Sequence, residues 1–150
     1  LLSIRTFYSK TELPRLYAIE KACFSREFRW DKKDFIREIG ESDVWIADLD
    51  GTIVGFLMGE IEDNMGHIAT IDVDAEYRGR GIATTLTQHA EAAYRGCGYR
   101  KMMLEVQVDN PAQTLYFRLG YRVVGVKKSY YADGSNAITM EKKLKKGATK

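Results

Sequence analysis

The sequence predicts a mixed α/β sheet with helices on its faces. One observation is the order of its segments, which runs β-α-α-β-β-β-α-β-α-β-β. Another is punctuation: Asp50-Gly51, Gly96-Cys97-Gly98, Gly120 and Asp133-Gly134-Ser135 fall between those segments. The third is a glycine turn, Tyr77-Arg78-Gly79-Arg80-Gly81-Ile82-Ala83-Thr84, which joins an apolar run to an amphipathic one.

Residues 3–8 alternate and read as the first strand. Thr11-Glu12-Leu13-Pro14 starts a helix with Pro in its first turn, and Leu16, Tyr17, Ile19 and Glu20 continue it toward Cys23. An aromatic and charged connection follows over 24–30. Asp31 is the expected N-cap of a second helix over 32–39, with Gly40 as its stop. Runs 44–49 and 52–61 are strands joined through Asp50-Gly51, a strong hairpin signal. Residues 63–66 make a second turn, and 67–73 form the strand that feeds the glycine turn. Ile82, Leu86, Ala90, Ala93 and Tyr94 mark a helix that runs to Arg95. Residues 101–108 are a strand with Met103, Glu105 and Gln107 on one face and Met102, Leu104, Val106 and Val108 on the other. Asp109-Asn110-Pro111 opens a short helix over 112–119, and strands over 121–128 and 137–142 finish the chain.

A chain of 150 residues suits one domain, expected over 1–143, with a basic, solvated, flexible tail at 144–150. Hydrophobic content of 45% and charged content of 29% fit a soluble globular protein. A net charge of +2 argues against a general nucleic-acid binder. Much of that excess lies in Lys142, Lys143, Lys145, Lys146 and Lys150, where an acidic partner is admitted. No apolar run is long enough to span a membrane, and residues 1–10 lack a signal-peptide core. Cys23 and Cys97 are too few and too isolated for a disulfide framework or a metal cluster. A reduced, cytoplasmic chain without a metal is therefore expected.

The glycine turn carries the chemistry. A strand, a tight turn and a helix N-terminus present backbone N–H groups to one point, and the helix dipole adds positive charge there. Glycines let a phosphate approach the backbone, and Arg78 and Arg80 add formal charge. The pattern is a pyrophosphate cradle. It is not a Walker A loop, because no Gly-Lys-Ser/Thr triplet is present. It is not a dinucleotide fingerprint either: position 84 is Thr, and the turn comes mid-chain after several strands.

Arg78-x-x-Gly81-x-Ala83 matches the R/Q-x-x-G-x-G/A signature of the GNAT acetyltransferases. Leu104-Glu105-Val106-x-x-x-Asn110, followed by Ala112, Leu115-Tyr116 and Leu119-Gly120-Tyr121, resembles that family's second half. Gly66-His67-Ile68 and Tyr130-Tyr131-x-Asp133-Gly134-x-x-Ala137-x-x-Met140 resemble the N-terminal protein acetyltransferases, the bacterial RimI type and its archaeal and eukaryotic relatives. The resemblance implies the GNAT fold: a mixed, mostly antiparallel sheet of about six or seven strands flanked by about four helices.

It also implies an acetyl-CoA-dependent N-acetyltransferase that works by direct attack through a ternary complex. By resemblance, Arg78, Gly79, Arg80, Gly81, Ile82, Ala83 and Thr84 bind the pyrophosphate of acetyl-CoA. The edge at Ile71, Asp72 and Val73 pairs with its pantetheine arm, the amide near Val73 facing the thioester oxygen. A fixed N–H donor there stabilises the developing oxyanion by about 3–4 kcal/mol. Glu105 is the candidate general base and Tyr116 the candidate general acid for the leaving thiolate. Asn110 caps the short helix and contacts the cofactor, as does Tyr116. In the family the tyrosine stands one residue further from its asparagine than Tyr116 does from Asn110. Either the turn at Pro111 has lost a residue, or Asp109 takes the asparagine's place. The second alternative reverses the face of Glu105.

A protein α-amine titrates near about 8 and lysine near about 10.4, so a modest base suffices for an N-terminal acceptor. Two aromatic segments are the expected peptide walls: 24–30, with Phe28 and Arg29, and Tyr130-Tyr131. Glu27 is a candidate for attracting the α-ammonium. His67 and His89 read first as packing residues. The leading function is acetylation of free protein N-termini, with a ribosome or auxiliary subunit admitted as partner and a monomer or weak dimer as the assembly. The alternatives are a small amine (polyamine or aminoglycoside) or a protein lysine as acceptor, and a non-catalytic acyl-CoA-binding module.

Overall fold

The computed structural model of the chain describes residues 1–7, 9–26 and 28–145. Its elements are β1 (Leu2–Thr6), α1 (Leu13–Cys23), α2 (Lys32–Glu41), β2 (Asp43–Leu49), β3 (Thr52–Glu62), β4 (Met65–Val73), α3 (Ile82–Gly96), β5 (Lys101–Gln107), α4 (Ala112–Arg118), β6 (Arg122–Lys127) and β7 (Ala137–Lys143). Single 3-10 turns, Lys10–Glu12 and Ala75–Tyr77, come before α1 and α3. The strands form one sheet in the order β1-β2-β3-β4-β5-β7-β6. Its registered pairs are antiparallel except β4 with β5. This is the mixed, mostly antiparallel α/β architecture that the segment order and the resemblance predict.

Most boundaries shift by one or two residues from expectation, and two of the shifts involve glycines. Gly40 does not stop α2, which runs on to Glu41 and ends at an extended Ser42. Gly66 is not a turn residue. Asp63 and Asn64, at φ 51° and 62°, make the turn, and Gly66 already lies in β4. Asp63 and Asn64 both take the left-handed conformation that the turn needs. Tyr8 and most of the basic tail, 146–150, lie outside the described residues. Leu144 is buried, and its N–H donates to the Arg100 carbonyl at 2.8 Å. Among the described residues no helix is long and apolar enough to cross a membrane.

The chain falls into two compact units, Leu1–Gly59 with Thr70–Ala90, and Glu60–Ala69 with Glu91–Lys150. In the first, the core is built from Leu16 and Ile19 of α1, Phe35 and Ile39 of α2, Ile46 of β2, Phe56 to Met58 of β3 and Leu86 of α3, all buried. The Phe35 ring stands edge-on to Phe56 at 5.9 Å and tilted against Tyr17 at 5.3 Å. Asp31 caps α2 as expected, its Oδ1 accepting from the Asp34 N–H at 2.9 Å. Gly55 of β3 runs against the end of β4, so close that a Cβ there would stand 2.7 Å from the Asp72 carbonyl oxygen.

In the second unit β5 lies between β4 and β7. It pairs in parallel with β4 at Gly66↔Met102, His67↔Met103 and Ile68↔Leu104. It pairs antiparallel with β7, Glu105 standing opposite Thr139. Met102, Leu104, Val106, Tyr116, Tyr121 and Met140 are buried here. A buried polar chain ties α3 to the strands that follow. The Tyr121 hydroxyl donates to Glu91 Oε2 at 2.7 Å, and Lys142 Nζ donates to Glu91 Oε1 at 2.9 Å. The Tyr121 ring in turn packs edge-on to Tyr116, with centroids 6.0 Å apart.

Gly55→Ala tests the close approach of β3 to β4. A methyl group forced against backbone cannot be relieved by a rotamer change. The substitution is expected to lower stability by about 1–3 kcal/mol, read as a fall in the urea midpoint at unchanged slope. An unchanged midpoint would show that β4 yields freely.

Candidate active site

The candidate residues fall into two clusters, one in each unit. In the first unit β4 carries Ile71, Asp72 and Val73 into the Asp74 turn. Asp74 caps that turn by accepting from the Glu76 N–H at 3.0 Å and is held by Arg15 at 2.6 Å. The chain then passes through Arg78, Gly79, Arg80 and Gly81, all exposed, into α3. Gly79 and Gly81 both have φ +77°, a conformation that excludes most side chains. A Cβ on either would project into open space. The opening N–H groups of a helix have no carbonyl partner inside it, and α3 begins at Ile82, with Ala83 and Thr84 half-buried behind. A bare backbone turn with open space over it, at the positive end of a helix, fits a pyrophosphate. Arg78 is partly committed: its Nε donates to the Val73 carbonyl at 3.3 Å and its Nη2 to Cys23 Sγ at 3.4 Å.

Behind Ile71–Val73 lies a pair of buried acids. The residues Glu20 of α1 and Asp72 of β4 are each only 1% exposed. No hydrogen-bond partner among the described residues reaches Glu20 Oε1 or Asp72 Oδ2, and each acid acts on the other's proton affinity. Burial pushes both above the carboxylate range. Asp72 goes further up because Glu20 bonds to it and repels its charge, and Cys23 adds to this, while the Thr70 hydroxyl, donating at 2.8 Å, opposes it. For Glu20 the Asp72 bond, the Trp30 N–H and the Arg29 charge pull the other way. Glu20 thus reaches from β4 to the loop holding the half-buried Phe28 and Arg29. Glu27 lies outside the described residues.

The second cluster centres on Glu105. Its side chain is 5% exposed and both oxygens are occupied: Oε1 by His67 Nε2 at 2.7 Å and Oε2 by Lys127 Nζ at 3.1 Å. His67, 10% exposed, faces two more acids through Nδ1, Glu60 at 3.3 Å and Glu62 at 3.0 Å. The His67↔Met103 register produces the first contact, because Glu105 lies two residues beyond Met103 on the same face. Burial pushes Glu105 up, but the His67 hydrogen bond and charge, together with Lys127, hold it below the usual carboxylate range. Burial pushes His67 down, and the three glutamates more than reverse this. The result is a buried base that is kept ionised. Glu60, Glu62 and His67 offer three ligating atoms within 4.8 Å, with the His67 Nε2 bond to Glu105 leaving Nδ1 turned to the two acids.

Tyr130 and Tyr131 flank this base. Their rings are edge-on at 5.0 Å, and Lys127 Nζ lies 5.3 Å over the Tyr130 ring. Burial and the Glu105 charge push the Tyr130 hydroxyl up, and burial with the charges of Tyr130 and Glu105 pushes Tyr131 up to about 12. Both phenols therefore stay protonated and serve as donors. Tyr116 is buried at α4 beside Tyr121. Asn110, not Asp109, makes the capping bond: its Oδ1 accepts from the Ala112 N–H at 2.8 Å, while Asp109 is exposed. His89 is exposed on α3. His67 and Lys127 are the residues that sequence reasoning missed. The available signal was their place on β4, beside β5, and on β6, one strand beyond β7, which becomes readable only once the strand order is known.

The acetyltransferase (GNAT) family model matches residues 13–121. An uncharacterized N-acetyltransferase of Methanocaldococcus jannaschii is 35% identical over 144 residues, covering 93% of this chain and 90% of its own. An N-alpha-acetyltransferase of Saccharolobus solfataricus is 37% identical over 114 residues, covering 67% of this chain and 68% of its own. Among solved structures, the ribosomal-protein-S18-alanine N-acetyltransferase of Escherichia coli superposes with a TM-score of 0.85 at 25% identity, covering 99% of this chain and 97% of the other.

The buried acid pair generates a pH test. Asp72 holds its proton more tightly in the folded chain than in the unfolded one, where its pKa is about 3.9. Its contribution to stability is therefore full below that value and falls as pH rises toward the folded pKa. Asp72→Asn removes this fall. Its urea midpoint is expected to exceed the parent's at pH 8, with the difference shrinking toward pH 4. A difference that does not change with pH would mean that Asp72 does not hold its proton more tightly in the folded chain.

Proposed function

The chain belongs to the GNAT acetyltransferase family and is an acetyl-transfer enzyme; we propose that its acceptor is the free α-amino group of protein N-termini and its donor acetyl-CoA. The observation that carries this reading is the Glu105 carboxylate, buried yet kept ionised beside two protonated tyrosines. The names of the Saccharolobus and Escherichia relatives point the same way.

Acetyl-CoA supplies an activated acetyl thioester. Under this reading Gly79 to Thr84 hold its pyrophosphate with backbone N–H groups, aided by Arg78 and Arg80, and the edge at Ile71 to Val73 receives the pantetheine arm. The Val73 N–H is assigned to the thioester oxygen. Tyr130 and Tyr131, with Phe28 and Arg29, contact the acceptor peptide. Glu105 takes the proton that the amine gives up as its nitrogen bonds to the acetyl carbon. Tyr116 gives a proton to the sulfur as the carbon–sulfur bond breaks, and Asn110 fixes the start of its helix. An ionised Glu105 is a weak base, which suits an α-amine better than a lysine: roughly a tenth of α-amines are already neutral at pH 7, against fewer than about one lysine in a thousand. A single domain over 1–143 working in the cytoplasm, where nascent N-termini are exposed, completes the reading. A small polyamine is the second reading, favoured by the three glutamates around His67.

Free thiol release tests acceptor and residues together. Peptides with a free N-terminus are expected to react at least about tenfold faster than N-blocked peptides carrying a lysine. Equal rates would remove the N-terminal assignment, and faster reaction of spermidine than of any peptide would favour the polyamine. Glu105→Gln and Tyr116→Phe should each lower turnover by about 10²-fold or more. Tyr116→Phe at parental turnover would end the acid role.

A further inference from the structure

Lys127 is unaccounted for in the reaction as derived. It is a lysine whose ammonium lies on the assigned base, 3.1 Å from Glu105 Oε2. The other oxygen already accepts from His67. Each oxygen keeps a free lone pair, but an acceptor ammonium that arrives there is repelled by the cation already bound, until one donor leaves. His67 is the wrong one to leave: it is 10% exposed and clamped from behind by Glu60 and Glu62. Lys127 is 43% exposed, on a flexible stem at the end of edge strand β6, with the Tyr130 ring as an alternative resting place.

We propose that Lys127 is a specificity-determining placeholder, holding the position of the acceptor ammonium on Glu105 until an incoming ammonium displaces it. The inference rests on the reading of Glu105 as base. Exchange is near neutral for a cation. A neutral group that pushed Lys127 aside would leave a buried carboxylate short of a partner, which is costly. The placeholder therefore selects acceptors that arrive charged; the ammonium gives one proton to solvent before attack, and Glu105 takes the second as the carbon–nitrogen bond forms. It also reduces apparent affinity by the fraction of molecules in which Oε2 is free. The charged and titratable groups around Glu105 are His67 on β4, Glu60 and Glu62 on β3, Lys127 on β6, and Tyr130 and Tyr131 after it. Lys127 is the exposed cation among them.

The test compares Lys127→Met and Lys127→Arg in steady-state assays with a free N-terminal peptide across pH, with Glu105→Gln alongside. Lys127→Met is expected to lower the peptide KM about three- to fivefold, as for release of a half-exposed ion pair. It should also move the acid limb of kcat/KM to higher pH, because Glu105 loses a cation that holds its pKa down. Lys127→Arg keeps the charge and should keep the parental limb, with KM equal or higher. A Lys127→Met enzyme with KM and acid limb both unchanged, or with a raised KM, overturns the placeholder while an inactive Glu105→Gln leaves the base in force. Parental activity in Glu105→Gln removes the base reading and the placeholder with it.

Discussion

A run of three parallel residue pairs, Gly66–Ile68 against Met102–Leu104, decides where the candidate chemistry lies. It puts His67 one diagonal step from Glu105, close enough for a 2.7 Å hydrogen bond, and so gives a buried carboxylate a cationic partner inside the sheet. Without that register Glu105 would be a strand acid 5% exposed, with only Lys127 to oppose the upward push of burial. Gly66 belongs to the same constraint. A Cβ there would come within 2.6 Å of Met102 Sδ and of the Tyr94 ring, so the strand that carries His67 needs glycine to lie this close to β5 and α3.

The two buried acid sites have opposite electrostatics. Glu105 meets cations from two strands and remains charged. Glu20 and Asp72 meet each other, with hydroxyl, amide and a more distant guanidinium around them, and keep a proton. Similar side chains thus reach opposite protonation states through their neighbours alone, and only the charged one can act as a base near neutral pH. The pair joins α1, β4 and the loop before α2.

Much of this was legible in the residues. Alternation placed Glu105 on its strand, the Asp50-Gly51 turn set the β2–β3 hairpin, and the two glycines at φ +77° marked the phosphate turn before any coordinates. Local signals failed where a second residue could do the same job. Asp63 and Asn64 made the turn and left Gly66 to the strand, and Gly40 was absorbed into α2. Long-range pairings could not be read at all. Nothing local connects His67 to Glu105, 38 positions away, or Lys127 to Glu105, 22 away. Asp72 looked like one more residue on a strand edge, because its partner Glu20 lies on a different helix.

The turn between Asn110 and Tyr116 closes at its short length. Asn110 Oδ1 bonds the Ala112 N–H, and Pro111 lies at helical φ between them, so the turn closes without a further residue. β5 then keeps the register that puts Glu105 opposite Thr139 and beside His67. Had Asp109 served as the cap, the strand would have slipped by one and turned Glu105 away from His67. The loop closes at this length with Glu105 on the face that meets His67. A helix of only seven residues tolerates this because its position is set at the far end, where Tyr116 packs on Tyr121 and Tyr121 is anchored to Glu91.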